Sequence, residues 1–255
     1  MIKETINKLQ SELPATVKLV AVSKFHPFEA IEQAYEAGQR VFAESRPQEL
    51  LAKVRRLEEV RALKVEEAIA NGGDVEAAKA YMSDLQWHFI GHLQTNKLKM
   101  VLPYVSLVQS VDSVRLLDAI QAWGAANSRI IPVLLEPHVA AEDTKQGFAA
   151  DEIYDILIPS GDVSESSSDM PISAYPNICF QGIMGMATFT DDQVVVASDF
   201  AALRSIFDTC RSRFPQLATD FTELSIGMSD DYPLAIEYGS TMIRVGSMIF
   251  GERSY

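Results

Sequence analysis

Two stretches of this chain hold the residue types that anion and carbonyl chemistry need. The first is Leu224–Gly251, LSIGMSDDYPLAIEYGSTMIRVGSMIFG. It has two short apolar runs that end in small residues. Thr222-Glu223-Leu224-Ser225-Ile226 leads into Gly227-Met228-Ser229, and Met242-Ile243-Arg244-Val245 leads into Gly246-Ser247. Between them Tyr232–Tyr238 fits one or two turns of helix, and Gly239 ends it. Backbone N–H groups at such turns, beside a helix start, make an anion cradle. Arg244 puts a cation inside an otherwise apolar run. The second stretch is Val17-Lys18-Leu19-Val20-Ala21-Val22, which ends at Ser23-Lys24. A lysine amine deprotonated by burial or by a nearby cation attacks aldehydes and forms Schiff bases.

These residues need elements that bring them together. Ile2–Leu13 is an amphipathic N-terminal helix, with Ile2, Ile6 and Leu9 at helical spacing and Pro14 as its stop. After it, strands and helices alternate. Strands are expected at 17–22, 40–43, 86–90, 105–109, 130–135, 178–184, 222–226 and 242–245. Helices are expected at 28–37, from 47 to about 65–70, and at 74–82, 95–102, 113–126 (capped by Asp112), 151–158 and 193–213. Most strands are apolar throughout, as in a sheet covered on both faces. Ser160–Asn177, rich in Ser, Asp, Gly and Pro, reads as a flexible surface loop. Eight βα units in 255 residues match a single α/β domain, a TIM (β/α)8 barrel over 1–255. A doubly wound sheet is the competitor, but no GxGxxG turn follows the first strand.

In such a barrel the chemistry sits at the C-terminal strand ends, and a phosphate site often follows strands seven and eight. Those ends carry Lys24, Glu44-Ser45-Arg46, His88, Gly91-His92, Met184, Gly227 with Ser229, and Arg244 with Gly246-Ser247. Lysine, arginine and phosphate cradle in one barrel mouth suit pyridoxal 5'-phosphate, although any phosphorylated small molecule could use the same parts. A net charge of -13 argues against a nucleic-acid surface. No apolar run nears the roughly 20 residues of a membrane span. The N-terminus is not a signal peptide. The two cysteines, Cys179 and Cys210, read as reduced thiols, so a cytoplasmic protein is expected.

At this point the chain resembles the pyridoxal phosphate homeostasis protein family, which has the alanine racemase N-terminal domain fold. The likeness is carried by Ala21-Val22-Ser23-Lys24, His88-Phe89-Ile90-Gly91 with Leu93-Gln94 and Asn96-Lys97, Leu224–Asp231, and Gly239-Ser240-Thr241 through Arg244-Val245-Gly246 to Ile249-Phe250-Gly251. It implies a fold-type-III barrel with the cofactor on Lys24 as an internal aldimine. It also implies phosphate contacts from Ser229, Gly246 and Ser247, with Arg244 facing the pyridine nitrogen. There a second cation keeps the nitrogen unprotonated and the ring a weak electron sink. Two positions depart from the family pattern. Ala43-Glu44-Ser45 replaces Gly-Glu-Asn, and His138 stands where an asparagine is usual. Glu142–Gly147 keeps the pattern.

The function implied is a protein that binds, buffers or delivers the cofactor with little or no turnover. The competitor is a fold-type-III amino-acid racemase, which needs a proton donor on each face of the substrate. The chain ends soon after the eighth strand, so no second domain is expected to supply one. Partners would be the cofactor and, through delivery, cofactor-dependent apoenzymes, with a monomer as the default. Plainer roles stand beside several of these. Arg244 could pair with Glu44 or Glu223. Ser229 could cap a helix starting near Asp230. Met184, Met186, Met228 and Met242 read as core and pocket lining. His88 and His92 lie on a strand and turn and make no metal site; His88 reads as a packed residue or one that supports a site residue from behind. His26 and His138 carry no readable role.

Overall fold

The computed structural model describes residues 1–139, 147–158, 175–217 and 219–251. The β-branched runs form β1 (Lys18–Val22), β2 (Val41–Glu44), β3 (Gln86–Phe89), β4 (Val105–Val111), β5 (Ile131–Leu135), β6 (Ile178–Met184), β7 (Glu223–Ser225) and β8 (Met242–Val245). They pair in parallel, in chain order, and β8 closes onto β1 through Lys18↔Met242 to Ala21↔Val245. This is the eight-stranded barrel that the alternation predicted. Around it lie α1 (Ile2–Glu12), α2 (Phe28–Glu36), α3 (Pro47–Asn71), α4 (Val75–Lys79), α5 (Leu98–Val101), α6 (Val114–Ala126), α7 (Ala150–Leu157), α8 (Gln193–Arg213), α9 (Tyr232–Glu237) and α10 (Ser247–Phe250).

Two cores follow from the period-two alternation of side chains along each strand. The larger one packs one strand face against the helices, with Ile31, Phe42, Leu50, Phe89, Phe200 and Phe221 fully buried. The smaller one fills the bore: Val20, Val22, Ala43, Leu107, Leu134, Met184 and Met242. Lys24 continues the inward series Val20, Val22 and so enters the barrel mouth. Ser23 and Glu44, one residue out of phase, face α3 instead.

Several boundaries differ from expectation. Ser113, not Asp112, caps α6: its hydroxyl accepts the Leu116 N–H, while Asp112 is engaged by His92 at 2.8 Å. Ser229 is not the cap of α9 either. Asp231 holds that position, and its carboxylate accepts the Met228 N–H. At α6 the Ser113 hydroxyl reaches the free N–H first, and at α9 the Ser229 hydroxyl is taken by the Gly246 N–H. β4 runs two residues beyond its expected end, where Val111 pairs with Leu135 of β5. The short α10 was not foreseen. It begins directly at Ser247, because Gly246 stands at its N-cap. Most of the expected 160–177 loop, like 140–146 and 252–255, lies outside the described residues. At the loop's end Asn177 is tied to Gln121 and Arg129.

Candidate functional site

A cavity of about 330 Å³ opens at the C-terminal end of the barrel, within the size range of small-ligand sites. Lys24, Ser229, Arg244, Gly246 and Ser247 all line it, although they come from the two ends of the chain. Barrel closure through the β1–β8 pairing brings them to one place. Val22, Ile90, Met184 and Met228 supply apolar wall. Phe189, 92% exposed, stands at the rim with Met186.

The anion cradle is built by close backbone approach. Gly227 has φ +94, a left-handed conformation, and a Cβ there would lie 2.6 Å from the Ala235 Cβ. Only glycine allows the turn and the approach of α9 together. The Gly227 carbonyl accepts the Arg244 N–H at 3.0 Å, which joins the two loops. Gly246 has Val22 against it: a Cβ would meet the Val22 carbonyl oxygen at 3.1 Å. The Gly246 N–H donates to the Ser229 hydroxyl at 3.3 Å, so both groups converge on one point. The first N–H groups of α10 beside them have no intrahelical acceptor. Such donors, facing a cavity with a buried guanidinium, fit a phosphate-bearing ligand.

Arg244 is only 4% exposed. Its Nη1 donates to the Ser225 carbonyl and hydroxyl, both at 2.7 Å, and its Nη2 to the Gly185 carbonyl at 2.9 Å. Burial lowers its pKa to about 10, with Glu136 and Asp231 countering, so it stays charged at neutral pH. It does not pair with Glu44 or Glu223. Glu223 is held by Lys18 and Thr241, and Glu44 by Lys53. Among the described residues the guanidinium is thus solvated by carbonyl and hydroxyl oxygens rather than by a carboxylate contact.

From Arg244 a hydrogen-bond chain crosses the bore. The Ser225 hydroxyl donates to Gln109 Oε1 at 2.7 Å, and Gln109 Nε2 donates to His88 Nδ1 at 2.8 Å. His88 is buried, and desolvation, then the charge on Lys18, push its pKa down to about 3. It is therefore a neutral acceptor, in keeping with a packed residue. Gln109 and Ser225 carried a signal in the sequence, as polar residues inside apolar runs. That they join Arg244 to His88 was not readable there.

A second network lies beneath Lys24, between β1, β2 and α3. The Ser23 hydroxyl donates to Glu44 Oε1 at 2.6 Å. Lys53 Nζ donates to the Ser23 carbonyl at 2.8 Å, to Glu44 at 2.6 Å and to Glu49 at 2.9 Å. Burial raises the Glu44 pKa to about 6, against the pull of Lys53. Sequence alone gave no reason to separate Lys53 from the surface lysines. Nearby, His26 lines the cavity and stacks on Phe250 with ring centroids 5.2 Å apart; burial, then Lys53, lowers its pKa. His92 instead faces a separate cleft of about 520 Å³, with Asp112, Thr95 and Arg115, which holds none of the expected site residues. Cys179 and Cys210 are free thiols. No helix among the described residues is long and apolar enough to cross a membrane.

The model of the alanine racemase N-terminal domain family matches residues 1–254. The pyridoxal phosphate homeostasis protein of Pasteurella multocida is 32% identical over 241 residues, 94% of this chain and 88% of that protein. The human protein of the same name is 32% identical over 261 residues, covering 100% of this chain and 83% of its own length. Among solved structures, PipY of Synechococcus elongatus with PLP bound superposes with a TM-score of 0.77 at 30% identity, covering 98% of this chain and 100% of PipY. Alanine racemase from Corynebacterium glutamicum shares the fold at TM-score 0.62 and 12% identity, and this chain covers 61% of it.

Proposed function

We propose, for a chain that belongs to the pyridoxal phosphate homeostasis proteins of the alanine racemase N-terminal domain family, that it binds pyridoxal 5'-phosphate and buffers or delivers it with little or no turnover. One observation carries this reading: Lys24, the Ser229–Gly246 cradle and the buried Arg244 line one cavity. When bound, the cofactor supplies an aldehyde that captures amines and a ring that withdraws electrons from them. Lys24 is the amine that holds the aldehyde carbon. Ser229, Gly246 and Ser247 take the phosphate. Arg244 is assigned to the pyridine nitrogen, where a fixed cation disfavours a proton and so weakens the ring's electron withdrawal. Ser45 is given no cofactor contact. The relatives named for homeostasis support the non-enzymatic part. Delivery to apoenzymes, a monomeric state and a cytoplasmic location complete the reading.

The test is reduction with borohydride in the presence of pyridoxal 5'-phosphate, followed by peptide mapping. The label is expected on Lys24. A label on Lys18, Lys97 or Lys145 in its place overturns the assignment. Incubation of the loaded protein with L- or D-alanine is expected to give no racemization above background, and robust turnover would make the racemase reading correct.

A further inference from the structure

We propose that Glu44, Glu49 and Lys53 are positioning residues for Lys24, clamping the turn after β1 so that the amine is presented to the cavity. The inference rests on the reading of Lys24 given above. The residues on both sides of Lys24 are held. Ser23 is gripped twice, its hydroxyl by Glu44 and its carbonyl by Lys53. The Ser23 carbonyl also accepts the His26 N–H at 3.1 Å and closes the turn. On the other side the Phe25 N–H donates to Glu49, whose same oxygen Lys53 holds at 2.9 Å.

Phe25 shows why a clamp is needed. Its φ is +69, a left-handed conformation that a bulky aromatic residue rarely adopts. Such strain persists only where the surroundings over-determine it, and it gathers at functional sites. Here the surroundings are the Glu49 carboxylate on the N–H and the Arg46 guanidinium over the ring at 4.6 Å. Without them Phe25 relaxes to negative φ, the Lys24–Phe25 peptide plane turns, and the Lys24 side chain leaves its course into the mouth. Glu44 and Lys53 are almost wholly buried, at 0% and 5% exposure. A buried ion pair is weak evidence for stability, because an apolar pair of the same volume often serves as well. What an apolar pair cannot do is hold the Ser23 hydroxyl and carbonyl and, through Glu49, the Phe25 N–H. Positioning explains the charges where stability does not.

The chemistry that depends on the aim is the bond from Lys24 Nζ to an aldehyde carbon. The amine forms a C=N bond, and the aldehyde oxygen leaves as water with both amine hydrogens. A ligand with the same phosphate and ring but an alcohol in place of the aldehyde, pyridoxine 5'-phosphate, uses the cradle without this bond. The two ligands therefore separate aim from shape. Binding of each is titrated with wild type, Lys24→Ala, Glu49→Ala and the milder Glu49→Gln, and the borohydride-trapped Lys24 adduct is timed. Glu49→Ala is expected to weaken pyridoxal 5'-phosphate binding by about fivefold or more, equivalent to about 1 kcal/mol, and to slow trapping. Pyridoxine 5'-phosphate should change by less than about twofold. Glu49→Gln, whose amide oxygen still accepts the Phe25 N–H but lacks the charge, should fall between. Equal losses for both ligands, or no loss for either, overturn the clamp; if Glu49→Ala does not fold, Glu49→Gln is judged by the same split. A wild type that binds the two ligands equally, and no better than Lys24→Ala, removes the Lys24 reading itself.

Discussion

His88 makes the barrel interior sensitive to acid in a calculable way. Its folded pKa of about 3 lies far below the ordinary histidine value of 6.5. The unfolded chain therefore binds a proton that the native state refuses. The stability from the neutral imidazole is fully present above pH 6.5 and is lost as pH falls toward 3. At 1.36 kcal/mol per pH unit, its contribution drops by about 2 kcal/mol between pH 7.5 and pH 5, and by about 4 kcal/mol by pH 3. Glu44 works the other way. Its pKa is raised to about 6 from 4.5, so it adds stability as pH falls through that window. The two are separated by His88→Asn, whose amide oxygen can still accept the Gln109 amide but does not titrate. The substitution lowers stability at every pH by leaving a small void, so the quantity to compare is the slope. Urea unfolding of both proteins at pH 7.5 and pH 5 is expected to show wild type losing about 2 kcal/mol more than the variant. The same loss in both proteins would refute the reasoning, because His88 would then have to take up its proton in the native state.

Two glycines give sharper tests. Gly227→Ala combines a φ of +94 with a Cβ 2.6 Å from Ala235, and it is expected to cost about 2–4 kcal/mol in denaturant unfolding. Gly246→Ala keeps an ordinary φ of -121 but places a methyl group beside Val22 in the cradle. Titration should show at least about tenfold weaker binding of both phosphorylated ligands, with stability changed by less than about 1 kcal/mol.

The barrel and the residues lining its mouth were legible in the sequence for a physical reason. Strand alternation, glycine turns and the period-two placing of Lys24 and Arg244 are local properties, and closure then forces their ends together. What was not legible depends on partners distant in sequence. Lys53 looks like any lysine on an amphipathic helix until β2 brings Glu44 beneath it. Asp112 has the sequence of a helix cap, and only the neighbouring loop, carrying His92, draws it away. Ser229 likewise looks like a cap, but its hydroxyl accepts the Gly246 N–H from the neighbouring loop, and Asp231 stands at the N-cap of α9. The left-handed Phe25 had no warning, because non-glycine strain is imposed by the tertiary fold and not by its own side chain.

The β7–β8 ladder is the shortest seam in the barrel, with Ser225↔Met242 as its paired position. The cavity lies over the top of that seam, with Ser229 on one side and Gly246 on the other. An anion seated there acts as a clasp across a joint that backbone pairing leaves thin, and the bore's hydrogen-bond chain from Arg244 on β8 to His88 on β3 serves as a strut across the diameter. Occupancy and barrel closure are then two readings of one joint. On the function proposed above, the ligand's phosphate takes the place where it also holds the barrel shut.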